Sequence, residues 1–214
     1  MATYPARIDI DCAKAPYNPM PIVQAVFGEV AKLRAASAAP IFIVSGESHF
    51  NDVECLLPYA AAQHAGLMNN TPVKHTLQFA FEYPHDTLTK TRAEFEEFFP
   101  GTLLPGDSPS VQLARILSEY GSGHPQNATR VMLKAFAAHD VPLCAIDASL
   151  KWGRLYPFLN EEDELTRQHM PTCHTPYVMG HRAYNPPGMV ARNRIMAQLL
   201  RERHSHKNAV TWVQ

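Results

Sequence analysis

Two short motifs in the chain combine side chains that can transfer protons and stabilise charge. Glu47 and His49 lie two residues apart, directly after the apolar run 41–44, and Arg192 and Asn193 are adjacent in a later helical pattern. An imidazole beside a carboxylate can act as a general base on water. A guanidinium can stabilise negative charge that develops on an oxygen atom. These residue types therefore predict a site for acid–base chemistry.

Polar side chains also follow each of three successive apolar runs. Ser45 comes after the run 41–44, Glu82 and His85 come after the run 73–81, and Asp147 comes after the run 141–146. Ligands of open parallel sheets bind beyond the carboxyl ends of the strands. We therefore expect these side chains to share one site with Glu47 and His49. The alternative is that polar residues end these strands only because the chain turns there.

Arg192 and Asn193 stand out within the helical pattern that begins at Pro187. They lie at i+3 and i+4 from Met189, so we predict that they face inward on an apolar stripe with Met196 and Leu200. A buried guanidinium needs a carboxylate partner, which Glu47, Glu82 or Asp147 would supply. The alternative is an ion pair with a purely structural role.

The elements that position these residues follow from the spacing of apolar residues. Helical spacing predicts helices over 21–36, 53–66, 110–120, 127–139, 161–169 and 187–203, with Val131 among the inward residues of the fourth. Apolar runs predict strands over 41–44, 73–81, 141–146 and 209–213, the first of them fully buried. Segments 87–102 and 148–187 are expected to be long loops that line a pocket. This alternation predicts an α/β fold with a mainly parallel β-sheet flanked by helices on both faces, and a site at the carboxyl ends of its strands.

Length and composition indicate one globular domain over residues 1–214. Hydrophobic residues make up 46% and charged residues 18% of the chain, and the formal net charge is -1. This balance gives no basic footprint for nucleic acid, and no apolar run is long enough to cross a bilayer. We expect a protein with a small-molecule or peptide substrate, located in the cytoplasm or exported without a Sec signal peptide. Cys144 lies within an apolar run and is expected to be a buried free thiol.

The order of these motifs resembles one superfamily. Gly46-Glu47-Ser48-His49 after a strand is similar to the Gly-Glu-x-His signature of the erythromycin esterase, ChaN and Tiki/TraB superfamily. Glu82, Asp147 and the segment 192–197 fit its remaining motifs in order, so the resemblance spans about residues 40–214. It implies a hydrolase of ester or peptide bonds. In that reading Glu47, His49, Glu82 and Arg192 are catalytic, and a second group contacts the substrate or supports them: Ser45, His85, Asp147, Asn193 and His181.

The resemblance also leaves alternatives open. Relatives similar to Tiki use a divalent ion such as Mn²⁺ or Co²⁺, for which Glu47, His49 and Glu82 are the candidate ligands here. The ChaN branch implies haem or iron binding instead, with Tyr83 or His85 as an axial ligand.

One departure from the superfamily pattern bears on activity. Similar proteins continue into a Gly-x-x-His segment, whereas this sequence ends at Gln214. We expect either a truncation at that point, a substitute such as His174 or His181, or a domain that keeps the fold without turnover. An interaction domain of a bacterial toxin or effector is the form that the last alternative would take.

Overall fold

Helices and short strands alternate along the chain, as the sequence pattern predicts. The computed structural model describes residues 18–45, 56–69, 77–120, 127–152, 157–169, 186–204 and 209–214. Its helices are α1 (Met20–Ala36), α2 (Leu56–His64), α3 (Thr87–Phe98), α4 (Pro109–Tyr120), α5 (Asn127–Ala138), α6 (Glu164–His169) and α7 (Pro186–His204). Its strands are β1 (Ile41–Val44), β2 (Leu77–Pro84), β3 (Leu143–Asp147), β4 (Leu150–Trp152), β5 (Pro157–Leu159) and β6 (Val210–Val213). None of these helices is long and apolar enough to cross a membrane.

The main sheet is parallel throughout. Its four strands lie in the order β1-β6-β2-β3, and β6 pairs with both β1 and β2. β4 and β5 form a separate antiparallel hairpin. Because all four main strands run in the same direction, their carboxyl ends lie along one edge of the sheet, next to Ser45, Glu82, Asp147 and Gln214. The predicted α/β class with a parallel sheet is confirmed.

Helices cover both faces of this sheet. Alternate residues of each strand point to opposite faces, so Phe79 and Trp212 enter one core while Ala80 enters the other. The first core contains buried residues of α1, α2, α4 and α5, and the second contains Ala191, Ile195 and Leu199 of α7. The sheet therefore holds α7 across the face that also contains the side chain of residue 82.

The prediction that β1 is fully buried is wrong. Among the described strands β1 lies at the edge of the sheet, next to β6 alone, and its Phe42 and Val44 side chains are 39% and 76% exposed. Ile43 packs against the first core, so Phe42 and Val44 point toward the face on which α7 lies. An apolar run of four residues does not distinguish a central strand from an edge strand.

Two further predictions need correction. The segment 87–102 is mostly the helix α3 rather than a loop, and the described part of 148–187 contains the hairpin strands β4 and β5. The helix predicted over 161–169 is present as α6. In α5, Val131 is 61% exposed, because the buried stripe of this helix runs through Met132, Leu133 and Phe136.

Candidate functional site

A β-bulge places Glu82 at the carboxyl edge of the sheet. Phe81 pairs with Ala145, but the next pair joins Pro84 to Asp147, so β2 has one residue more than β3 between the two pairs. Bulges re-aim side chains and are over-represented next to active sites. The backbone remains anchored on both sides, because Glu82 N donates to Gln214 O at 2.8 Å and His85 N donates to Asp147 O at 2.9 Å. These two hydrogen bonds hold the end of β2 against the ends of β6 and β3 on either side of the bulge.

Arg192 of α7 binds the carboxylates that these two strands present. Its Nε donates to Asp147 Oδ1 at 2.6 Å and its Nη2 to Asp147 Oδ2 at 2.7 Å, which is a bidentate pair. Nη2 also donates to Glu82 Oε2 at 2.9 Å. The structure therefore supplies the carboxylate partners that a guanidinium at this position requires. It brings together residues from β2, β3 and α7 that lie up to 110 positions apart in sequence.

The two carboxylates differ in accessibility. The Asp147 side chain is 6% exposed, and its Oδ1 also accepts a hydrogen bond from Ala148 N at 2.7 Å. The Glu82 side chain is 41% exposed. Arg192 binds its Oε2, and no described residue donates to its Oε1. Asp147 is thus an internal anchor, whereas the Glu82 side chain is accessible to solvent.

A second polar cluster adjoins this triad, and His85 is the one member of it described below that the sequence predicts as a site residue. His85 Nε2 lies 3.1 Å from Asp163 Oδ1, close enough for an ion pair but in an orientation that makes no hydrogen bond. The fully buried Ser149 donates to Asp86 Oδ2 at 2.6 Å and accepts from Lys90 Nζ at 2.6 Å. The i,i+4 spacing of Asp86 and Lys90 is the signal that would have identified this pair, had 87–98 been recognised as a helix.

The predicted inward stripe of α7 is wrong by about one position. The buried residues are Ala191, Ile195 and Leu199, and Arg192 lies at the margin of this stripe with its side chain 16% exposed. Asn193 is exposed on the outer side of the helix. The apolar residues of α7 are numerous enough to fit two adjacent stripes, so spacing alone did not separate them.

The other predicted site residues divide into two groups. Ser45 is described, but its Oγ accepts from Trp212 Nε1 at 2.9 Å and donates to Val213 O at 3.2 Å, which are structural contacts. β1 and β2 are separated by β6, so Ser45 lies about 10 Å from the end of β2. Glu47, His49 and His181 lie outside the described residues.

The described residues do not form a metal site. No three acidic, histidine or cysteine side chains among them are grouped to hold an ion. Of the predicted ligands only Glu82 is described, and the Arg192 guanidinium already provides a positive charge beside it. Regarding haem, His85 Nε2 is buried against Asp163 and does not point toward open space.

Cys144 of β3 and His204 at the end of α7 form a pair. The Sγ and Nε2 atoms are 3.0 Å apart, and His204 is almost fully buried. Burial raises the pKa of the Cys144 thiol to about 12, and the nearby Arg203 charge opposes this effect only in part. Cys144 is therefore a free, protonated thiol at neutral pH, which does not favour a role as a nucleophile.

Comparison of the chain with protein-family models, with curated proteins and with solved structures finds no match to any of them.

Proposed function

We propose that the chain hydrolyses an ester or peptide bond of a small-molecule or peptide substrate at the carboxyl edge of its parallel sheet. One observation carries the proposal: Arg192 joins an internal anchor, Asp147, to an accessible carboxylate, Glu82, at a β-bulge. A half-exposed carboxylate with one oxygen held by a cation, and the other bound by none of the described residues, has the arrangement expected of a group that binds and deprotonates water.

In this proposal Glu82 receives a proton from the attacking water or orients that water. Arg192 is a positioning residue, since it holds Glu82 Oε2 and is itself held by Asp147. This role differs from the oxyanion contact that the sequence suggested for Arg192. Two carboxylates surround one guanidinium, so little net positive charge is left for an oxyanion. Glu47 and His49, which come after β1 in sequence and lie outside the described residues, remain the predicted partners in the reaction.

The test is a hydrolysis assay on two panels, 4-nitrophenyl esters of increasing chain length and fluorogenic peptides. Each panel is measured with EDTA and with added Mn²⁺, so that a metal requirement is visible. Glu82→Gln removes the charge but keeps the shape, and we expect kcat to fall by about a hundredfold or more. Glu94→Gln, an exposed carboxamide substitution on α3, is the matched control and should retain wild-type kcat.

Thermal melts of both variants show whether a loss of activity reflects a loss of fold. Hydrolysis that survives Glu82→Gln would contradict the assignment of Glu82. Absence of hydrolysis across both panels would contradict the proposed reaction and favour an interaction domain that keeps the fold without turnover.

A further inference from the structure

A cavity lined by none of Glu82, Asp147 and Arg192 lies between the strand β1 and the outer side of α7. Its volume is about 520 Å³, within the range of small-molecule pockets. The described residues that line it are Phe42, His169, Arg194, Ala197, Leu200 and Arg201. Arg192 is not among them, so this cavity does not coincide with the triad described above.

One wall of the cavity is apolar. Phe42 projects from β1 toward the α7 side, where it is 39% exposed. Ala197 and Leu200 of α7 also line this space. An aromatic ring that is open to solvent beside two aliphatic side chains is a surface that gains free energy when an apolar group covers it.

The rim of the cavity is cationic. Arg194 and Arg201 lie at i and i+7 on α7, so they project from the same side of the helix as Ala197, and both are exposed. Among the described residues, no carboxylate lies within ion-pair distance of Arg194, so its charge is available to a ligand.

His169 contributes an imidazole ring to the rim of the cavity. A hydrogen bond to Gln198 holds this ring in place. Gln198 Nε2 donates to Glu202 Oε1 at 2.7 Å, so the oxygen of the same amide faces His169. His169 Nε2 then donates to Gln198 Oε1 at 2.6 Å. In the same hydrogen-bond network, the Glu202 carboxylate is bound by Gln198.

We propose that this cavity binds a small amphipathic carboxylate, such as a medium-chain fatty acid. The alkyl chain would cover Phe42, Ala197 and Leu200, and the carboxylate would bind the guanidinium group of Arg194, with the charge of Arg201 adding to the positive potential of the rim. The proposal rests on charge complementarity at the rim and on the apolar wall behind it. It is independent of the hydrolase proposal, because none of its residues belongs to the Glu82 site.

The test uses decanoate as the probe, below its critical micelle concentration. Binding to the full chain is measured by isothermal titration calorimetry and by displacement of the aromatic sulfonate 1-anilinonaphthalene-8-sulfonate. We expect wild-type protein to bind decanoate and the double variant Arg194→Gln/Arg201→Gln to bind it at least about tenfold more weakly. Arg130→Gln/Arg167→Gln, which removes two exposed arginines outside the cavity, is the matched control and should bind as wild type does.

Two ligand controls separate the contributions of charge and chain. Decyltrimethylammonium has the chain without the negative charge, and inorganic phosphate has the charge without the chain, so neither should compete. Absence of decanoate binding, equal binding by the cationic amphiphile, or undiminished binding by a double variant with an unchanged thermal melt would each overturn the proposal. The single variants Arg194→Gln and Arg201→Gln keep the test decisive if the double variant does not fold.

Discussion

Arg192 is both the centre of the candidate site and a structural requirement of the sheet edge. Removing it leaves Asp147, whose side chain is 6% exposed, without its bidentate partner. Loss of one partner of a buried pair is costly because an uncompensated charge stays behind. We expect Arg192→Met to lower the free energy of unfolding by about 3 kcal/mol, measured by urea denaturation at neutral pH.

Two further variants separate the effect of the Arg192–Asp147 ion pair from the effect of the bulk of the Arg192 side chain. In an Asp147→Asn background the same Arg192→Met substitution should cost clearly less, because no buried charge is left unpaired. Arg130→Met, which breaks an exposed pair with Glu119, should cost less than about 1 kcal/mol. Equal losses in both backgrounds would mean that Arg192 stabilises the protein through packing alone.

Cys144 is expected to be chemically silent in the folded chain. Because its pKa is raised to about 12, only about one thiol in ten thousand is ionised at pH 8. Iodoacetamide should therefore leave Cys144 unmodified in native protein and modify it in urea, as peptide mass mapping can show. Rapid native alkylation at this position would indicate that the pair with His204 does not shield the thiol.

The same pKa shift predicts how stability changes at alkaline pH. Below an ordinary thiol pKa of 9.0, Cys144 is protonated in both states and has no effect on the pH dependence. Between pH 9 and 12 the unfolded chain loses this proton while the folded chain keeps it, so stability falls as pH rises. Relative to Cys144→Ala, wild type should lose about 1 kcal/mol more between pH 9 and 10, measured by urea unfolding at the two pH values.

At the scale of elements, the spacing of apolar residues predicted most of the alternating helices and strands well, but it did not predict the helix α3. Helical spacing identified α1, α4, α5 and α7, since long amphipathic or capped segments have a strong period. It missed α3, in which only Leu88 and the buried Phe95 face inward among polar residues.

The candidate site could be predicted only in part, for a related reason. Residues after strands identified Glu82 and Asp147, because a parallel sheet gathers strand ends at one edge. Spacing did not predict three features: the bulge at Glu82, the partners Asp163 and Ser149, and the exposure of Asn193. These features depend on the pairing register of the strands and on a one-position rotation of α7. Neither quantity is encoded in local spacing.

At the start of the short helix α6, the Asp163 side chain both caps the helix and contacts His85 of the polar cluster beside the candidate site. Asp163 Oδ2 accepts from Thr166 N at 2.9 Å and from Thr166 Oγ1 at 3.1 Å, which caps the helix, while its Oδ1 faces His85. Asp163→Ala should lower the free energy of unfolding by about 1 kcal/mol through loss of the cap. Asp163→Asn keeps a capping oxygen and should cost measurably less by chemical denaturation. Equal costs would assign the effect to the charge beside His85.

At the scale of the whole molecule, the order β1-β6-β2-β3 places β6, which follows all other described strands in sequence, between β1 and β2. β6 pairs with β1 on one side and with β2 on the other, and its Trp212 is almost fully buried in the larger core. Until residues 209–214 are in place, β1 and β2 each present an unpaired edge toward the gap. The candidate site depends on the same strand, since Gln214 O accepts from Glu82 N beside the bulge.

This topology predicts that the sheet does not form without its last strand. A chain ending at residue 208 should lose its cooperative thermal transition and its near-ultraviolet circular dichroism, and should aggregate through the two open edges. Trp212→Phe is the control: it keeps the strand, removes the bond to Ser45 and part of the core volume, and should cost about 2 kcal/mol while melting cooperatively. A cooperative melt of the shortened chain would show instead that β1 and the β2–β3 pair fold as separate units.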